Sequence, residues 1–312
     1  MRQSSLSNFV KVPPIRNFFC LDSDHTSRFL SSSEWTLLGT ANVILPLGGG
    51  RVEIHLCRRH RDADLDFRAE PTSILLPVPL LISNLQKAIR RMRADVAVAT
   101  AKQLLFIDPV ALCRRLPIIA IEDARSDKDL STCVWLMMSL AIGHHLSNAD
   151  GAWLVAYAGA LAAQLTRVPF PRSCVIRSGR DVWNRAHGNG DDVAMALLLR
   201  AAYGGMHGDV QMLAASATTP HLDAVHIVST IPVLHWTHIR QCDILEPSID
   251  FHCMPYILTT LSAETGLSEA QIKTAIWEHS SRINARLDYH DGDGSRVHFE
   301  TIYEKLGRFR VR

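Results

Sequence analysis

The sequence predicts a mainly α protein: a helical bundle domain preceded by a small β-hairpin region and a flexible N-terminal tail. Three observations predict this. Apolar residues recur at helical spacing from Leu85 to Ile283, while alternation with a period of two is confined to the stretch around Val43 to Cys57. Ahead of both, Met1 to Pro14 is Ser-rich and ends in a Pro pair. The predicted boundaries are 1–33 for the tail, 34–79 for the β region and 80–312 for the helical domain.

The β region rests on Val52, Ile54 and Leu56 alternating with Arg51, Glu53 and His55, the pattern of a half-buried strand. Gly48 to Gly50 supply the turn from Val43–Leu47. These glycines are not a phosphate loop, because no Gly-Lys-Ser/Thr follows and no helix opens there.

The helical region opens with three short helices. Leu85, Ile89 and Met92 form a buried stripe on the first, with Lys87, Arg90 and Arg91 on another side. Asp95 is placed to cap the second helix, which buries Val96, Ala99 and Leu104 or Leu105. Asp108 caps the third, with Pro109 at its first position, and Pro117 stops it. Further stripes run through Leu130, Val134, Met137 or Met138 and Ala141, and through Trp153, Tyr157, Leu161 and Leu165. Asp191 begins a helix stopped at Gly204-Gly205, and Gly208-Asp209 opens a shorter one. Ser268 and Gln271 make a capping box before Ile272 and Ile276.

Composition narrows the function classes. A formal charge of +2 does not by itself indicate a nucleic-acid partner, so any basic surface must be local. Seven cysteines without a C-x-x-C pair read as reduced, mostly buried thiols of an intracellular protein. No apolar run reaches a membrane span, and there is no signal-peptide core. No H-E-x-x-H and no Cys/His zinc spacing appears, and Asp291 to Gly294 has only the opening of a calcium loop. No metal and no cofactor is therefore expected.

The tail carries Gln3, Leu6, Phe9 and Val10 in fixed order. This spacing resembles the PIP box, the docking peptide that binds the sliding clamp proliferating cell nuclear antigen (PCNA). Its placement resembles the start of the eukaryotic mismatch-repair MutS homologue six. In such a peptide one helical turn sets Leu6 beside Phe9 as a hydrophobic plug, while the Gln3 amide hydrogen-bonds in its own pocket. Val10 stands where the family has a second aromatic, which shrinks the plug. The resemblance implies a nuclear protein of replication or repair. The tail is also free of acids before Asp22 and carries Arg2, Lys11 and Arg16, a balance shared with mitochondrial transit peptides, so mitochondrion is the alternative location and an inert tail the plainest reading.

A second resemblance lies between Leu85 and about Leu165. Lys87 to Arg91, Asp108-Pro109, Arg114 to Leu116 and Ile119 to Asp123 resemble the helical collar of clamp-loader-like ATPases, particularly the replication-associated recombination family. It covers about a quarter of the chain and lacks the ATPase module. It implies a helical bundle at the replication fork, with no activity attached.

Two kinds of site follow. Lys87, Arg90, Arg91 and Arg93, joined by Arg114 and Arg115, would form a phosphate-binding strip that contacts DNA backbone without reading bases. The plainer readings are a solvated helix face, or Arg114 pairing internally with Glu122 or Asp123. Glu122 and Asp123 follow the apolar run Ile118 to Ile121, where burial shifts carboxyl pKa values. With Asp209, Asp250 and His252 they would make a metal-dependent or acid–base pocket acting on nucleic acid or nucleotides, provided they converge. Otherwise Asp209 is a helix cap, Glu122 and Asp123 hold an arginine, and His252 is a core histidine. The leading expectation is an accessory factor docked on the clamp, with the enzyme as its rival and a protein-only scaffold third.

Overall fold

The computed structural model describes residues 16–59, 76–163 apart from 125 and 128, 178–219 and 256–276, with single positions at 244, 245, 248, 301, 302 and 305. Four strands come first: β1 (Phe18–Leu21), β2 (Ser27–Leu30), β3 (Thr36–Leu45) and β4 (Gly50–Arg58). The helices follow: α1 (Val78–Arg90), α2 (Ala94–Ile107), α3 (Pro109–Ile119), a π-helical turn (Ala120–Ala124), α4 (Leu130–Ala141) and α5 (Asn148–Ala163). Next are α6 (Gly179–Asn189), α7 (Asp192–Ala202) and α8 (His207–Ser216), then α9 (Tyr256–Thr265) and α10 (Glu269–Ile276). The protein is mainly α with a small N-terminal sheet.

The sheet order is β2-β1-β4-β3. The expected hairpin is β3 paired antiparallel with β4, Val43 opposite Val52 and Ala41 opposite Ile54. Gly48 and Gly50 adopt φ of 68° and 73° in its turn, conformations that glycine takes without strain. Val52, Ile54 and Leu56 are buried, as their alternation predicts.

The tail boundary needs correction. Residues 16–30 are not a flexible extension but part of the fold. β1 runs parallel to β4 and antiparallel to β2, and Phe19, Cys20, Leu21 and Phe29 are fully buried. Arg16, counted above as a presequence-like charge, pairs with Asp192 at 2.7 Å and donates to the Phe29 carbonyl at 2.6 Å. Nor is the β region a separate unit: one hydrophobic cluster joins Phe19 and Ile54 to Leu85, Trp135 and Leu198. Trp135 of α4 seals the junction, its indole N–H donating to the Phe19 carbonyl at 2.9 Å.

The described cysteines, Cys20, Cys57, Cys113 and Cys133, are free and buried. Burial pushes the Cys20 thiol up to about 12, so it behaves as packing rather than as a nucleophile.

Several local expectations meet the structure directly. Asp108 caps α3 by accepting from the Ala111 N–H at 2.8 Å, Asp191 caps α7 through Ala194 at 2.9 Å, and Ser268 and Gln271 exchange capping hydrogen bonds. Others differ. Met92 lies beyond the end of α1 with φ 58° and is exposed, because the chain turns there in a left-handed conformation. Asp95 sits inside the first turn of α2 and binds Arg93, which itself occupies the N-cap position expected of Asp95. Pro117 does not stop α3 but lies within it. Its missing N–H cannot serve the Cys113 carbonyl, which instead accepts from the Cys133 thiol. The helix then widens into the π turn, closed by the Ser126 N–H on the Ala120 carbonyl at 2.8 Å. That turn carries Glu122 and Asp123.

Candidate functional site

The π turn presents Glu122 and Asp123 differently. Asp123 is fully buried and accepts from Nε of Arg90 at 2.5 Å, binding the turn to α1. Glu122 faces a cavity of about 580 Å³ walled by α1, α3, α7 and the start of α8. Gln86 of α1 donates to Glu122 at 3.0 Å, and its amide oxygen accepts from Arg115 of α3 at 2.5 Å. Arg115 then reaches Asp209 at 3.5 Å. One polar network thus runs from Asp123 through Arg90, Glu122, Gln86 and Arg115 to Asp209, with Arg90 3.8 Å from Glu122.

Asp209 reaches the cavity because Gly204 and Gly205, with φ of 78° and 152°, turn the chain sharply between α7 and α8. Arg200 of α7 underlies this turn, 2% exposed, donating to the Arg114 carbonyl and the Gly204 carbonyl, each at 2.7 Å. Arg114 donates to the Tyr203 carbonyl at 2.8 Å. Burial, then the neighbouring Arg114, lowers the Arg200 guanidinium to about 10. Burial also raises the Glu122 carboxyl, and the charge of Asp123 adds to the shift. The lining holds five cationic side chains, Lys87, Arg90, Arg114, Arg115 and Arg200, against the acids Asp108, Glu122 and Asp209. Such a site favours an anion, and its Glu122 carboxyl gives up a proton less readily than an ordinary glutamate.

This geometry revises the basic strip. Lys87 and Arg90 are 4% and 8% exposed, so they face inward and cannot form a continuous DNA-binding surface. Arg91 and Arg93 are exposed, and Arg93 pairs with Asp95 at 3.0 Å. Arg114 does not pair with Glu122 or Asp123; Arg90 takes that role. Of the acid–base set, Glu122 and Asp209 share the cavity and Asp123 lies behind it. Asp250 and His252 fall outside the described residues, as do Gln3, Leu6, Phe9 and Val10.

Sequence reasoning missed Gln86 and Arg200. A signal for Arg200 was present: one arginine closing the apolar run Ala194 to Leu199 has to find partners on burial. Gln86 carried none.

A second buried charge cluster lies at the sheet. Asp150 of α5, fully buried, accepts from Arg58 through both oxygens at 2.9 and 2.8 Å, is bound to His25 Nε2 at 2.9 Å, and accepts from the Ser147 N–H at 2.9 Å. Burial opposes its ionisation, but these hydrogen bonds outweigh burial and hold the carboxyl far below the usual range. The cluster joins β4, the β1–β2 turn and α5, and it is structural in character.

Among the described residues no group of three or more His, Cys, Asp or Glu side chains is arranged to hold a metal ion. No described helix is long and apolar enough to cross a membrane. No family model, no curated protein and no solved structure matches this chain.

Proposed function

We propose that the chain is a non-ATPase accessory factor of DNA replication or repair, docked on the sliding clamp PCNA through Gln3, Leu6, Phe9 and Val10 and acting in the nucleus. The observation that carries this is the order of those four residues, an amide, an aliphatic and a plug-forming pair at PIP-box spacing. The resemblance of residues 85–165 to a clamp-loader-like collar supports the same setting. Tethering by a short peptide raises the local concentration of the folded body at the fork without requiring body contacts to the clamp. With Lys87 and Arg90 turned inward, DNA contact by the body falls to exposed cations such as Arg91.

The test is an affinity pull-down from nuclear extract with the full chain and with a chain lacking residues 1–12, read by mass spectrometry. Clamp recovered with the full chain and lost with the truncation supports the reading. Clamp absent from both, or recovered equally by both, removes it.

The enzyme reading is the second, and one observation favours it: Glu122 and Asp209, far apart in sequence, line one cavity beside arginines. In this reading Glu122 gives a proton to the leaving group of a nucleotide or nucleic-acid substrate, Asp209 takes one from the attacking water, and the arginines hold the phosphate.

A further inference from the structure

We propose that the cavity between α1, α3, α7 and α8 is a binding site for a small phosphate-bearing molecule, gripped by Arg115 with Arg114 and Lys87 around it. The inference does not depend on clamp docking, and it needs binding only, so it stands whether or not Glu122 and Asp209 perform chemistry.

Three features carry it. The first is charge: cations outnumber acids five to three on the lining, and five to four with Asp123 behind Arg90, a balance that favours an anion over a metal ion or a cationic ligand. The second is an incomplete guanidinium. Arg115 spends one terminal nitrogen on Gln86 and the other faces Asp209 at the long distance of 3.5 Å. Its buried Nε has no hydrogen-bond partner among the described residues. That Nε is closed off from the cavity, so a phosphate there would be met by the terminal nitrogens, one of which Asp209 engages only at 3.5 Å. The third is shape. The cavity is enclosed on several sides by helices, so it suits a small molecule rather than a duplex, and Ile82, Val110 and Ile118 offer an apolar wall for an organic portion. Phosphate is favoured over a single carboxylate because four arginines line the cavity, and a phosphate has oxygens enough to meet more than one of them.

Isothermal titration calorimetry on the full chain tests this, with inorganic pyrophosphate as the probe, citrate as the carboxylate comparison and ionic strength held constant. The expected result is saturable one-site binding of pyrophosphate, weakened about tenfold or more in Arg115→Met. Ala111→Trp adds bulk to the wall and leaves every charge in place, and it is expected to lose affinity as well. Circular dichroism of each variant reports whether it is folded. The Leu6→Ala/Phe9→Ala chain is expected to bind pyrophosphate as tightly as the unaltered chain, which separates this site from clamp docking. Absence of saturable binding, citrate binding as tight as pyrophosphate, or affinity unchanged in both folded cavity variants would overturn the proposal.

Discussion

Nε of Arg90 donates to Asp123 at 2.5 Å across 33 residues of sequence, with the arginine side chain 7% exposed and the carboxylate fully buried. The pair ties α1 to the π turn and sets which way Glu122 faces. Removing one partner strands the other charge in the interior. Arg90→Met is expected to cost about 3–5 kcal/mol in urea unfolding. The double variant Arg90→Met/Asp123→Leu should cost clearly less than the two single changes added together. Additive costs would show that the two groups are not coupled.

Asp150 gives the protein an acid-sensitive element. Its folded-state pKa lies below its unfolded value of roughly 3.9, so the native state binds fewer protons than the unfolded state in this window. The stability it contributes is complete above the unfolded value and is lost as pH falls through the folded one. Asp150→Asn is therefore expected to lower the urea midpoint strongly near neutral pH. The gap to the unaltered chain should narrow as pH falls below about 4. A gap that stays constant with pH would contradict the assignment of the shift to the Arg58 and His25 hydrogen bonds.

Glu122 has the opposite sign. Its folded-state pKa is raised, first by burial and then by Asp123, so the native state holds its proton more tightly than the unfolded state. That contribution is full below the unfolded value and disappears as pH rises through the folded one. Glu122→Gln mimics the protonated form. It is expected to unfold at a higher urea concentration than the unaltered chain above the Glu122 titration, with the difference vanishing on acidification. A variant less stable across the whole range would show that ionised Glu122 is needed by Gln86 and Arg90.

Gly179 opens α6 against the β3–β4 turn, and a Cβ placed there would lie 2.1 Å from the Pro46 carbonyl oxygen. Backbone cannot yield cheaply at that distance. Gly179→Ala is expected to destabilise by about 1–3 kcal/mol, the ordinary range for overpacking, measured by thermal unfolding. An unchanged Tm would mean that α6 seats less tightly on the hairpin turn than these positions indicate.

How far the sequence could be read varied with the range of the interactions. Local signals worked: Asp108 with Pro109, Asp191, and Ser268 with Gln271 each act within a single turn, and all occupy their expected caps. The strand alternation of Val52, Ile54 and Leu56 also held, because its period is set by the backbone. Met92 and Asp95 aside, what failed depended on partners distant in the chain. β1 and β2 are four residues each, too short for periodicity to register, and they become strands by pairing with β4 and with each other. Lys87 and Arg90 read as a surface strip because charge normally seeks water; Asp123 and the cavity let them turn inward. Pro117 read as a stop because a proline removes one hydrogen bond, but packing carried the helix through it and into a π turn. The pairing of Glu122 with Asp209 in one cavity was a matter of tertiary folding, and the acid–base reading named both residues without being able to bring them together.

Binding of the full-length chain to immobilised PCNA, followed by surface plasmon resonance, tests the central claim most directly. Saturable binding is predicted, lost in Leu6→Ala/Phe9→Ala and tightened in Val10→Phe, which restores the second aromatic of the plug. Binding that survives the double alanine change, or no binding by the unaltered chain, would contradict the account.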